Sequence, residues 1–267
     1  MRTIGVALAC LLLAGCGGDS AISSAAKGGI KGKPKPAPTS APAPAPAPSP
    51  SPSPSPSPSP TPSPTPSALD DGKTVIVAEG DSISVDYNGY YTGFFRLQHP
   101  GVEYHVLAVG GSGIGGLVTR TPKVNELNPD FLTVFIGAND LGAYTTAQAF
   151  VNDILAYVAP IRSRGTRVLV ATPLPRMVPS QVTYSNNHNL LRDQVSALLK
   201  GEVGKTIDGV IDFGGHPVMG QITATTNLQL YKDGLHPTDR GWNGVSGGGG
   251  HDYLYEVYRT TLEPMLP

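Results

Sequence analysis

Cysteine is nearly missing from this 267-residue sequence, which holds only Cys10 and Cys16. Everything after Cys16 therefore lacks a thiol for a disulfide, a cysteine nucleophile or a zinc–cysteine site. Long apolar runs are equally scarce. Beyond Cys16, no stretch approaches the roughly 20 apolar residues that span a bilayer. There is also no Arg-rich run and no basic stripe. Arg2 and four lysines (Lys27, Lys31, Lys33 and Lys35) precede Leu69. From there the chain carries 14 Lys+Arg against 19 Asp+Glu, a net charge of −5. That balance argues against a nucleic-acid partner.

What is present begins with MRTIGVALACLLLAGC: one positive charge at Arg2, then an apolar run over 4–14. The run is too short for a stable membrane helix and reads as the hydrophobic region of a signal peptide. Its end, Leu13-Ala14-Gly15-Cys16, resembles a bacterial lipobox, in which the cysteine receives the lipid. The expectation is a signal peptide over 1–15, export, and lipidation at Cys16. Any membrane attachment would then be through that lipid, on a periplasmic or cell-surface face. An ordinary cleaved signal peptide is the plainer alternative.

Residues 33–67 are nearly all Pro, Ala, Ser and Thr. Proline fixes its own φ and has no amide donor, so the stretch favours an extended polyproline-like conformation. Its 35 residues could reach on the order of 100 Å at about 3.1 Å each. The expected organisation is a tether over 16–68 and one domain over 69–267, long enough for a substantial core.

Within that domain five short apolar segments read as buried strands: 74–78 (TVIVA), 104–109 (YHVLAV), 131–136 (FLTVFI), 167–171 (RVLVA) and 209–213 (GVIDF). Apolar stripes at helical spacing lie between and after them. One runs from Ala147 to Ile161 with Gly165 to end it. A second runs from Leu190 to Leu199 before Gly201, and a third from Leu254 to Leu262 before Pro264. Strands alternating with helices imply a parallel sheet covered on both faces. Ligands bind such sheets beyond the carboxyl ends of the strands.

The unusual residues fall at those ends. After the first strand comes Glu79-Gly80-Asp81-Ser82-Ile83-Ser84, where a strand-to-helix turn would expose the Ser82 hydroxyl. A simple helix N-cap explains it as well. After the second comes Gly110-Gly111-Ser112-Gly113-Ile114-Gly115-Gly116, whose glycines allow backbone N–H groups to approach a ligand oxygen. It formally matches a dinucleotide fingerprint, yet no acid about 20 residues on sits at a strand end. After the third comes Gly137-Ala138-Asn139-Asp140, either an amide aimed at the crevice or an ordinary Asn-Asp turn. Asp233-Gly234-Leu235-His236-Pro237-Thr238 puts an acid three residues before a histidine, close enough to orient its ring. Asp212-Phe213-Gly214-Gly215-His216-Pro217 is a looser version of the same pattern.

In this order the four blocks resemble the SGNH (GDSL-type) hydrolases, named for Ser, Gly, Asn and His. Ser82, Gly111, Asn139 and His236 fall on those four positions, and the match runs from Thr74 to about Gly241. Two departures stand out. The first block reads Gly-Asp-Ser-Ile, and Val106-Leu107-Ala108 stand where Asn-x-Gly usually opens the second, leaving Gly110 and Gly111 as rival donors.

The resemblance implies a three-layer α/β/α sandwich with a mainly parallel five-stranded sheet, SGNH/flavodoxin-like. It also implies a serine esterase working through an acyl-enzyme, with Ser82 as nucleophile, His236 as base and Asp233 behind it. The oxyanion donors would be the backbone N–H groups of Ser82 and Gly111 and the Asn139 amide. Neither cofactor nor metal is called for. The expected substrate is a small-molecule or glycan ester, with short-chain acyl or carbohydrate O-acetyl groups foremost. A lysophospholipase, a thioesterase or a catalytically dead tethered binding module are the alternatives.

Overall fold

The computed structural model describes residues 72–242 and 247–267. The signal peptide, Cys16 and the tether expected over 16–68 lie outside the described residues. In chain order the elements are β1 (Thr74–Gly80), α1 (Tyr91–Gln98), β2 (Val102–Val106), α2 (Ile114–Leu127) and β3 (Phe131–Phe135). There follow α3 (Ala147–Arg162), β4 (Arg167–Ala171), α4 (Val182–Gly201), β5 (Gly209–Ile211) and α5 (Gly250–Leu262).

Alternation along the strands explains the layers. Ile76 and Ala78 of β1, Phe131 and Phe135 of β3, and Leu169 and Ala171 of β4 face one core, closed by α1 and α5 through Tyr91, Phe95, Leu254 and Tyr258. Their neighbours Val77, Leu132, Val134, Val168 and Val170 face the other, closed by Leu117 of α2, Phe150 and Ile154 of α3, and Val195 and Leu199 of α4. A strand buried on both sides reads as a continuous apolar run, as these do. The result is an α/β/α sandwich.

All five strands are parallel, not merely most of them, in the order β2-β1-β3-β4-β5. From β1 the chain crosses to β2 on one side. From β2 it returns past β1 to β3 on the other. The loops leaving β1 and β3 therefore part in opposite directions, which opens a crevice at the carboxyl edge. β1 ends in Gly80 and β3 runs into Gly137 and Asn139, so two of the four blocks flank that crevice.

Candidate active site

The loop after β1 is shaped by close approach. A Cβ on Gly80 would stand 2.7 Å from both the Phe135 carbonyl oxygen and Ser84 Oγ, so only glycine fits there. Ser82 is not at the start of a helix, as the sequence suggests. Residues 81–86 form turns and bends, and α1 begins only at Tyr91. The fully buried Asp81 makes the turn: its Oδ1 accepts from the Ile83 N–H (2.9 Å) and its carbonyl from the Ser84 N–H (3.0 Å). That local ring occupies the residues a helix would have used. Burial pushes the Asp81 carboxyl up to about 7, against the Ile83 hydrogen bond and the nearby His236.

Ser82 Oγ lies 2.9 Å from His236 Nε2, and His236 Nδ1 lies 2.7 Å from Asp233 Oδ2. Asp233 Oδ1 also accepts from the backbone N–H groups of Leu235 (3.0 Å) and His236 (2.8 Å). Its partial burial alone would raise the carboxyl. The hydrogen bonds from the His236 backbone, the His236 ring and Leu235 outweigh it and hold the group below its ordinary value. A bridge between Tyr231 and Pro237 closes this loop, helped by the Lys232 N–H donating to the His236 carbonyl at 2.8 Å.

The rival pair is not assembled. Asp212 accepts from Thr172 Oγ1 (3.0 Å) and from Lys200 Nζ (2.7 Å). His216 Nδ1 instead accepts from the backbone N–H groups of Val218 and Met219, each at 3.2 Å.

On the other side of Ser82 is the glycine loop. Gly111 has φ +78°, a left-handed value that strains any other residue. Gly110 passes closer to the serine, since a Cβ built on it would lie 3.8 Å from Ser82 Cβ. Among the described residues, no backbone acceptor meets the N–H of Ser82, Gly110 or Gly111. Asn139 Nδ2 donates to the Ser112 carbonyl at 3.0 Å, which turns its amide toward the same loop. Asp140 Oδ2 accepts from the Ile114 N–H (2.6 Å) and anchors the start of α2 beside it.

Three residues belong to this region without having been singled out in the sequence. Arg120 of α2 pairs with the buried Glu79 (Nη2 to Oε2, 2.7 Å). It also donates to Ser112 Oγ (3.0 Å) and to the Gly80 carbonyl (3.2 Å). Arg176, after β4, donates through Nη1 to the Ala138 carbonyl and through Nη2 to Gln181 Oε1. Only the position of Glu79, a carboxylate continuing an apolar strand, was a visible signal. Among the described residues, no group of three or more His, Cys, Asp or Glu side chains could hold a metal ion.

A hydroxyl bonded to an imidazole, the imidazole bonded to a carboxylate, and N–H groups converging nearby together suit nucleophilic attack on a carbonyl. Comparisons with known proteins point the same way. The model of the GDSL-like Lipase/Acylhydrolase family matches residues 78–242. No curated protein matches the sequence. Among solved structures, the chain is similar to a protein of Bacteroides fragilis assigned as an acylhydrolase (19% identity, 76% of this chain and 89% of that one, TM-score 0.56). It is also similar to one of Desulfitobacterium hafniense assigned to the lipolytic G-D-S-L family (21%, 70% and 98%, 0.53). A third is a lipase/acylhydrolase of Enterococcus faecalis (20%, 73% and 97%, 0.51). At these identities the structural likeness bears on the fold.

Proposed function

Because this chain belongs to the GDSL-like lipase/acylhydrolase family and is thereby an ester hydrolase, we infer that it acts as a serine esterase through Ser82, His236 and Asp233. The observation that carries the reading is the unbroken chain from Ser82 Oγ to His236 Nε2 (2.9 Å) and from Nδ1 to Asp233 (2.7 Å). Asp233, held ionised, accepts a hydrogen bond from the Nδ1–H, which keeps the proton on Nδ1 and leaves Nε2 as the basic nitrogen.

His236 Nε2 takes the hydroxyl proton as Ser82 Oγ bonds to the ester carbon, and the C=O π pair moves onto oxygen. The N–H groups of Ser82 and Gly111 and the Asn139 amide hold that oxyanion. Its collapse breaks the bond to the alcohol oxygen, which leaves with the proton from His236. Water then gives a proton to His236 and attacks the acyl-Ser82. The second collapse releases the acid and returns the proton to Oγ.

Short acyl groups suit this centre best. Ile83, Ala138 and Leu235, next in sequence to Ser82, Asn139 and His236, help line a small, mostly apolar cavity of about 10 Å³ that Arg176 and His188 also border. That is space for about one water. An acetyl methyl is about the size of that space, which favours short-chain or carbohydrate O-acetyl esters over the long acyl chains of lysophospholipids. A fluorophosphonate probe should label the protein once, on the peptide holding Ser82, and the enzyme should turn over acetyl esters faster than octanoyl ones. Undiminished labelling of Ser82→Ala, or faster turnover of octanoyl esters, would count against these assignments.

The lipid anchor belongs to the same reading, and its support is the lipobox-like end of the apolar run at Cys16. The full chain is expected to partition into the detergent phase of an extract, and Cys16→Ser into the aqueous phase. Retention of the variant with detergent would mean another anchor.

A further inference from the structure

Arg176 is a buried cation that feels the Asp233 carboxylate only through space, with no carboxylate in contact among the described residues. Only 3% of it is exposed, and its two hydrogen-bond partners, the Ala138 carbonyl and Gln181 Oε1, are both neutral. Its Nε is buried and, among the described residues, has no acceptor. Among the described residues, no carboxylate forms an ion pair with it. Buried charges are ordinarily paired, because desolvating a lone one is expensive. The Tyr184 ring, 4.5 Å from the guanidinium carbon, braces the group and offers the cation only a π face.

A second feature points to the same place. The 20-residue helix α4 starts at Val182 with no side-chain cap and no acid in its first turn. Its positive end is left without a counter-charge. The residue before it, Gln181, is the one that holds Arg176. Both features border one solvent-open recess of about 530 Å³, lined by Asn139, Arg176, Ser180, Gln181, Thr183 and Tyr184. That is ample for a small ligand. Asn139 links it to the oxyanion donors, and the rest of the lining is hydroxyl, amide and aromatic apart from the half-exposed Val182.

We propose that this recess is an anion subsite, and that the natural ester carries a carboxylate which Arg176 and the start of α4 receive. The proposal rests on the esterase reading above. A planar carboxylate matches a guanidinium's fork, and it would supply the direct contact that Asp233, acting only through space, does not. The carboxylate could lie on the acyl arm, as in a dicarboxylic acid half-ester, or on the alcohol arm, as in an acetylated uronic acid.

The test measures kcat/KM of the full chain on two matched pairs. These are monomethyl succinate against methyl butyrate, and acetylated galacturonic acid against acetylated galactose. Wild type should favour the acidic member of one pair by at least about tenfold, and the pair that shows it identifies the arm. Arg176→Gln should lower the acidic substrate about tenfold more than its neutral match, and Arg176→Lys should recover part of the difference. No acidic preference in wild type, or equal losses on both members in Arg176→Gln, would overturn the proposal and leave Arg176 as a prop for the Ala138 turn. Should the variants not fold, wild type decides by competition. Galacturonate or succinate must inhibit better than galactose or butyramide, and added salt must weaken that inhibition; equal inhibition overturns the proposal. Inertness toward every ester would strike the esterase reading instead, and calorimetric binding of galacturonate against galactose would then decide the subsite.

Discussion

Asn139 has two N–H bonds on Nδ2, and the Ser112 carbonyl takes one of them at 3.0 Å. The second N–H is then fixed in direction. A donor fixed this way gains little from a neutral ester carbonyl and much more from the oxyanion that replaces it. Asn139→Ala should lower kcat by about 100- to 1,000-fold with a smaller change in KM, as read by steady-state kinetics. A change confined to KM would make Asn139 a substrate-positioning residue. The meeting of Ser82, His236 and Asp233 was legible because each sits in a short block of distinctive neighbours. The choice between Asp233–His236 and Asp212–His216 rested on the tighter spacing and on the likeness of Asp-Gly-Leu-His-Pro-Thr to the family block, since nothing in the sequence shows that Thr172 and Lys200 hold Asp212 elsewhere. Arg176 was not legible. A lone arginine between prolines carries no pattern, and its burial arises only when the loop after β4 meets Ala138 and the start of α4.

At the scale of elements, Arg120 of α2 joins the loops that leave β1 and β2, bonding the Gly80 carbonyl and Ser112 Oγ beside its ion pair with Glu79. The Glu79 side chain is fully buried, and burial raises its carboxyl against the opposing pull of Arg120. Removing the cation leaves a buried carboxylate without compensation. Arg120→Leu should therefore cost about 3–5 kcal/mol in urea unfolding. Adding Glu79→Gln should restore part of it, because the double variant has no stranded charge. A double variant less stable than Arg120→Leu would mean that Glu79 acts through something other than this pair. The sequence did not reveal α2 or α1. The first, IGGLVTRTPKVNEL, has two glycines, a proline and a broken apolar stripe, and the second is only eight residues long. Five strands were legible from their apolar runs. β2 ends at Val106, sooner than its run, because Leu107 and Val109 still bond β1 while the chain turns into the glycine loop. Helix α4 begins eight residues before Leu190, since the residues its first turns bury, Ser185 and His188, are polar and leave no apolar stripe to read.

Across the whole molecule, the buried titratable groups pull stability in opposite directions with pH. Asp81 has a folded pKa of about 7, above its ordinary 3.8, so its contribution is full at low pH and is lost as pH rises between those values. His188 runs the other way: burial lowers it from 6.5 to about 4, so its contribution is present above 6.5 and lost on the way down. His251 adds to the acid side. It lies in the first turn of α5, fully buried, stacked on Tyr90 with ring centres 3.9 Å apart, and among the described residues neither ring nitrogen has a partner. Burial, reinforced by Lys232, His236 and Arg240, depresses it well below 6.5. The helix turn that holds it is tied to the His236 loop through Thr238, whose Oγ1 accepts from the Gly250 N–H (2.7 Å) and whose carbonyl accepts from the His251 N–H (2.9 Å). Below pH 6.5 the unfolded chain binds a proton at this position that the folded chain refuses, and one such group can remove up to about 1.4 kcal/mol per pH unit. Phenylalanine keeps the stack on Tyr90 and takes no proton. His251→Phe should match or exceed wild type in Tm at pH 8, and its advantage should widen steadily as pH falls from 6.5 to 5. A Tm difference that stays constant over that range would show that His251 is not held neutral in the folded protein.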